Sequence, residues 1–247
     1  MIDTLSGTDC LIINLETSIT TSDVPATKGI NYRCHPKNVE TLKLINVNIV
    51  TLANNHVLDW GEEGLLETLD TLEKEGILYA GAGSDLDTAT KPVEFSNNIG
   101  GKDVDVKVLP VGFKSAGVPA KWKAEIDKPG VNYAADVNKT VAECILKQIN
   151  RCIQDENKYN SNSNSNKLNG KSEFKVVSLH WGPNWGWGTP KEWRKFTHRL
   201  IDGGIDLVIG HSSHHVKGLE VYKDKLIAYG LGDFLNGMFQ IYILIEN

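Results

Sequence analysis

The chain is 247 residues long and carries 26 basic against 31 acidic residues, a formal net charge of −5. With no basic block, that balance argues against a nucleic-acid partner. A hydrophobic content of 40% against 23% charged residues is that of an ordinary globular chain able to bury a core. No apolar run approaches the roughly 20 residues that cross a bilayer, so no membrane span is expected. Met1-Ile2-Asp3-Thr4-Leu5 lacks the basic and apolar regions of a signal peptide. Cys10, Cys34, Cys144 and Cys152 are widely spaced and form no CxxC. Both features point to free or buried thiols in a reducing, cytoplasmic setting.

Strand-like and helix-like segments alternate along the chain. Residues 11–13, Leu-Ile-Ile, read as a short buried strand, residues 36–45 as a helix and 47–52 as the next strand. Asp59-Trp60-Gly61-Glu62 has the form of a capping box, and the helix after it carries Leu65, Leu66, Leu69 and Leu72 on one face. Residues 76–81 read as a strand running into a glycine turn, and 104–111 as a longer strand. Val141, Ile145, Ile149 and Cys152 lie at helical spacing. Thr189-Pro190-Lys191-Glu192 reads as a second capping box, before a helix with Trp193, Phe196, Leu200 and Ile201 as its buried stripe. Residues 219–222 and 226–231 flank Lys223-Asp224-Lys225 as a hairpin, and 239–245 is of strand length. This order gives an α/β class with mixed sheets. The polar stretch 154–172, with Asn-Ser repeats at 160–166, is expected to be a disordered surface insert in one domain spanning 1–247.

Chemistry-bearing residues gather where apolar runs end. Gly210-His211-Ser212-Ser213-His214-His215 follows the apolar run 205–209, giving three imidazoles within five residues. His180 ends the run 174–179, His56 closes 51–55, and Asn14-Leu15-Glu16 ends the first strand. The C-terminal ends of strands are where open α/β sheets place their sites. A carboxylate, amide oxygens and several imidazoles form a mixed O/N donor set suited to manganese, iron or zinc, and unlike a cysteine-rich structural zinc. Each residue also has a plainer reading. Glu16 fits a surface carboxylate, Asn54 and Asn55 fit turn caps, and His56 and His180 fit hydrogen-bonded core histidines. His35 reads as structural and His198 as solvated. Trp181, Trp185 and Trp187 either pack a loop over the core or shape a pocket.

Taken in order, these stretches resemble the CapA family of poly-γ-glutamate capsule synthesis proteins, a branch of the calcineurin-like metallophosphoesterases. The matching segments are Asn14-Leu15-Glu16; Gly29 to Arg33 with His35-Pro36; Leu52 to Gly61; Ala80 to Gly83; His180-Trp181-Gly182; Gly210 to His214; and Tyr229 to Phe234. The resemblance implies a metallo-dependent phosphatase-like, four-layer α/β/β/α sandwich holding two divalent metals (Mn, Fe or Zn). It puts Glu16, Asn55, His180, His211 and His214 at metal-ligand positions and His56 at the general acid. Asn14, Asn54, His215, Arg33 and Trp181 are implied pocket residues or alternate ligands.

The chain departs from the family pattern in three places. The superfamily's opening strand ending in Gly-Asp is absent, since Asp3 and Asp9 follow no such strand; the expectation is that the first metal ligand is missing from this chain. Glu16 replaces an aspartate, and His211 and His214 are separated by two residues rather than one. The implied function is a CapA-like metal-dependent hydrolase in which a metal-activated water attacks a phosphoester or polyglutamate-related substrate and His56 protonates the leaving group. The rival is a non-catalytic assembly or binding subunit with a degenerate metal site. An anionic substrate requires a local basic patch, for which Arg33, Lys114 and Lys217 are the candidates.

Overall fold

The computed structural model describes residues 5, 7–151, 172–233 and 240–244. The strands are β1 (Leu11–Asn14), β2 (Ser18–Ile19), β3 (Arg33–Cys34), β4 (Ile49–Thr51), β5 (Leu78–Ala80), β6 (Ala82–Gly83), β7 (Val93–Ile99), β8 (Lys102–Phe113), β9 (Gly130–Val131), β10 (Tyr133–Ala134), β11 (Ser172–His180), β12 (Leu207–His211), β13 (Leu219–Tyr222), β14 (Lys225–Ala228) and β15 (Gln240–Leu244). One sheet runs β15-β1-β4-β5, parallel except for β15. The second runs β10-β8-β11-β12-β14-β13, with β7 also paired to β8, and is parallel except for β7 and β13. The α/β class with mixed sheets therefore holds.

The period of two along each strand divides its side chains between two cores. In β1, Leu11 and Ile13 join a cluster with Leu65, Leu69 and Leu72 of the helix Gly61–Lys74, while Ile12 faces the other way. In β8, Leu109, Val111 and Phe113 pack with Ile145, Phe196 and Leu200 of the helices Lys139–Ile149 and Lys191–Asp202. Val106 and Val108 turn instead to a third cluster with Ile12, Ile49, Val176, Leu207 and Ile209, which takes residues from both sheets. Burial on both faces is why these strands read as nearly continuous apolar runs.

Several local expectations change. Residues 36–45 split into a 3₁₀ turn, Pro36–Val39, and a short helix, Glu40–Leu44. Leu66 is exposed, because it sits about 100° round the helix from Leu65. Neither capping box forms: the caps of the helices Gly61–Lys74 and Lys191–Asp202 are Trp60 and Pro190, without side-chain bonds. Ser172 belongs to β11, and the rest of the expected insert lies outside the described residues, as does Cys152. The hairpin forms as expected, with Lys223 and Asp224 both at positive φ, 51° and 60°. Among the described residues no helix is long and apolar enough to cross a membrane.

The two sheets meet closely at one end. A Cβ on Gly112 would lie 2.7 Å from the carbonyl oxygen of Ala53, and one on Gly81 would lie 2.7 Å from Pro110 and 2.9 Å from Ala53. This is the C-terminal end of β4, β5 and β8. His180 is in register with both Gly112 and His211, so the close approach brings the ends of β11 and β12 to the loop after β4.

Candidate metal and active site

Asn14 closes β1 and donates through Nδ2 to Glu16 at 3.0 Å. Asn54 bridges to this corner, donating to Asn14 Oδ1 at 3.2 Å and to the Leu15 carbonyl at 2.9 Å. Its own Oδ1 accepts from the backbone N–H groups of His56 and Val57, both at 3.0 Å. Asn14 and Asn54 thus brace the turn that presents Asn55 and His56; the turn-cap reading holds for Asn54. Asn55 Oδ1 lies 2.9 Å from His180 Nε2, and Glu16 Oε1 lies 3.8 Å from the same nitrogen. Residues 16, 55 and 180, taken from three strand ends, therefore converge.

The electrostatics of this corner suit a cation. Burial pushes the Glu16 carboxyl up to about 8, helped by the negative charge of Asp233. His211 is pushed down to about 4 by burial, and His180 falls well below the usual imidazole value through burial and its neighbours His211, His56, His214 and Lys28. These imidazoles are neutral near pH 7, the form that binds metals. His180 Nδ1 and both ring nitrogens of His211 are buried without a hydrogen-bond partner among the described residues, and such orphaned groups carry a desolvation penalty. His214 presents Nδ1 to Asp233, at 2.9 and 3.1 Å, the pairing by which a carboxylate orients a metal-binding imidazole. The donor chemistry therefore fits a divalent ion. As the side chains stand, however, no three His, Cys, Asp or Glu among the described residues are gathered round one point.

His56 has a cradle of its own. Its Nδ1 lies 2.6 Å from Asp59 Oδ2, and its ring packs 4.2 Å from that of Tyr32. Asp59 is fully buried and also accepts from Lys28 Nζ at 2.7 Å and from the Tyr32 N–H at 2.7 Å. Lys28 Nζ further donates to the Asn55 carbonyl at 2.6 Å. Burial holds His56 below the ordinary imidazole value, partly offset by Asp59. Asp59, expected as a helix cap, is thus turned inward to His56.

Other expected residues lie elsewhere. Trp181 is fully buried, stacked 4.1 Å from Trp193 and 6.2 Å from Tyr229, and is a core residue rather than a pocket wall. Arg33 pairs with Asp23 at 2.7 Å and lies 4.3 Å over Trp60; neither partner belongs to the site. Lys217 is buried against the Gly186 carbonyl, so it and Arg33 do not join in one basic patch. His215 packs against Trp187 at 4.3 Å. His35 caps the turn Pro36–Val39, as expected. His198, expected in solvent, is held by Glu220 at 2.6 Å and stacks 3.8 Å from Tyr222. Asp9 precedes β1, at the end of that strand away from Asn14, and Asp3 lies outside the described residues.

Sequence reasoning assigned no role to Lys28, Asp59 or Asp233 at the site. Only Gly232-Asp233, a glycine at φ 73° followed by a carboxylate shortly after β14, gave a local signal.

Residues 1–238 match the family described as bacterial capsule synthesis protein PGA_cap. A probable polyglutamine synthesis accessory protein of Mycobacterium tuberculosis is 38% identical over 233 residues, covering 94% of this chain and 56% of that protein. Capsule biosynthesis protein CapA of Bacillus anthracis is 28% identical, covering 85% of this chain and 45% of its own length. PGA biosynthesis protein CapA of Bacillus subtilis is 27% identical, covering 85% and 48%. The chain spans about half the length of these curated relatives. By its match over nearly its whole length, the chain belongs to the bacterial capsule synthesis protein family PGA_cap.

Proposed function

We propose that the chain is a divalent-metal-dependent hydrolase serving capsule or polyglutamate synthesis, with a phosphoester or a glutamyl-polymer-related substrate. The observation that carries this reading is the set of buried, partnerless nitrogens on His180 and His211 beside a buried carboxyl, Glu16. A divalent ion reached through one nitrogen of each imidazole would relieve part of that desolvation penalty. The names of the curated relatives, two of them CapA proteins, support the biological setting. The three core clusters, helix against sheet, sheet against sheet and sheet against helix, support the four-layer α/β/β/α sandwich of the metallophosphoesterases.

Glu16, Asn55, His180, His211 and His214 are the residues that would hold the metal. When bound, it would supply an activated water and stabilise charge developing at the scissile centre. Asp233 orients His214 through Nδ1. Asp59 accepts at His56 Nδ1 and leaves Nε2 as the atom that passes a proton to the leaving group. Burial lowers the proton affinity of His56, and an anionic substrate nearby would raise it again toward the protonated form.

The second reading is a binding subunit without turnover. It is favoured by the absence, among the described residues, of three His, Cys, Asp or Glu side chains gathered round one point. Metal analysis and a phosphodiester assay in excess manganese separate the two. The hydrolase takes up metal, and His56→Ala lowers turnover about 10²–10⁴-fold, the range for general acid–base catalysis, with metal content unchanged. A protein that takes up no manganese and has no activity is the binding subunit.

A further inference from the structure

Three neighbouring strands of the second sheet stop at the candidate site. His180, the last residue of β11, is in register with Gly112 of β8 and with His211, the last residue of β12. Past that row the backbone pairing of β11 with β12 gives out in one long contact, 3.4 Å from the Trp181 N–H to the His211 carbonyl. Two serine hydroxyls carry the pairing one step further. Ser115, in the turn Lys114–Ala116 after β8, accepts from the Gly182 N–H at 3.0 Å. Ser212 donates through Oγ to the Gly182 carbonyl at 2.9 Å. Gly182 is thus held from both sides, directly beyond the two histidines.

The chain leaves β11 and β12 in different ways. Gly182 sits at φ 75°, and a Cβ there would lie 2.2 Å from the Trp193 ring, so glycine is required. Ser212 sits at φ 87°, a backbone region that strains a serine and leaves a glycine unstrained. Ser212 is 3% exposed, and the one thing it has that glycine lacks is the hydroxyl bound to Gly182. The imidazoles beside this clamp carry buried nitrogens without a partner among the described residues: Nδ1 of His180 and both of His211. On the β8 side the turn that holds Ser115 closes at Gly117, where a Cβ would lie 3.7 Å from Asn55 Nδ2.

We propose that Ser115 and Ser212 are positioning residues of the candidate metal centre. Through Gly182 they fix the spacing of the strand ends that carry His180 and His211, and Ser115 ties that spacing to the turn beside Asn55. The proposal rests on the reading that these side chains bind a divalent metal. Neither hydroxyl is itself a ligand. A metal–nitrogen bond of roughly 2 Å leaves little play in the backbone that presents each imidazole. Strain kept at Ser212 is the local cost of that fixed geometry.

The test is to melt the metal-free protein and to measure manganese and zinc affinity by calorimetry. The chains compared are the native one, Ser115→Ala, Ser212→Ala and Ser212→Gly. Ser212→Gly loses the bond and the strain together, so its melting temperature should stay within about 3 °C of native. Ser212→Ala loses only the bond and should melt below Ser212→Gly. All three variants should bind both ions about 10–100-fold more weakly, the usual cost of removing a group that orients metal ligands. Leu72→Ala is the control. Leu72 is fully buried in the core of the first sheet and its helix, so this change lowers the melting temperature and leaves the affinity native. A Ser212→Gly chain that binds metal like the native one overturns the proposal. So does one whose affinity falls only in step with a large fall in melting temperature, or a Leu72→Ala chain that loses as much affinity as the serine variants. A native chain that binds neither ion overturns the metal reading as well.

Discussion

Asp59 is the residue whose surroundings say most about how the site is held. Its carboxylate is fully buried and receives an ammonium, a backbone N–H and an imidazole. Lys28→Met removes the only full positive charge among these partners. Breaking a buried pair leaves the remaining charge uncompensated, but Tyr32 and His56 still hold Asp59, so the loss should be about 2–3 kcal/mol in a denaturant melt. Lys28→Arg should recover part of it. A Lys28→Met chain as stable as the native one would show that Asp59 does not depend on Lys28. This dependence was invisible in the sequence. Glu16, Asn55, His56, His180 and His211 could be picked out because each ends an apolar run, and a strand end is a position that periodicity reveals. Lys28 comes from an irregular stretch with no such flank, and nothing local ties it to a carboxylate 31 positions away. Trp181 was open in the sequence between core packing and a pocket wall. It neighbours His180 in sequence, yet its ring enters a stack with Trp193 and Tyr229 that only the tertiary arrangement supplies.

Among the elements, strands were legible and helix caps were not. Alternation and apolar runs located β1, β4, β8, β11 and β12, and the Lys223-Asp224-Lys225 turn located the β13–β14 hairpin, although Lys225 itself joins β14. The capping boxes at Asp59 and Thr189 did not form, because a cap is a local preference of about 1 kcal/mol that a buried partner can outbid; for Asp59 those partners are Lys28 and His56. What sets the site is the close approach of β8 to the loop after β4. Gly112→Ala puts a Cβ 2.7 Å from a backbone oxygen that has no flexible side chain to yield. The sheets must part locally, at about 1–3 kcal/mol, and the 2.9 Å contact between Asn55 and His180 should open with them. Gly29→Ala is the control, since a Cβ there meets nothing within 4 Å. Thermal melting and manganese titration should find Gly112→Ala less stable and weaker in metal binding, and Gly29→Ala close to native in both. Equal behaviour of the two variants would remove the glycine contact from the account of the site.

For the whole molecule, the candidate donors come from both sheets: Glu16 and Asn55 from the ends of β1 and β4, His180 and His211 from those of β11 and β12. Such a site keeps its geometry only if the sheets behave as one body. The cluster of Ile12, Ile49, Val106, Val108, Val176, Leu207 and Ile209 is the physical reason they should, since burying it requires both sheets in place. Ile209 is 1% exposed in that cluster and lies two residues before His211 on β12. Ile209→Ala leaves a cavity worth about 2–5 kcal/mol, which for a chain of this size lowers the melting temperature by upwards of about 5 °C. If the sheets fold together, calorimetry shows one transition that moves as a whole, and metal binding is lost in the same interval. Two resolved transitions, with only one shifted, would mean that the sheets unfold separately. The donors would then be brought together by the ion rather than prepared for it, and manganese affinity would depend on the stability of each sheet apart.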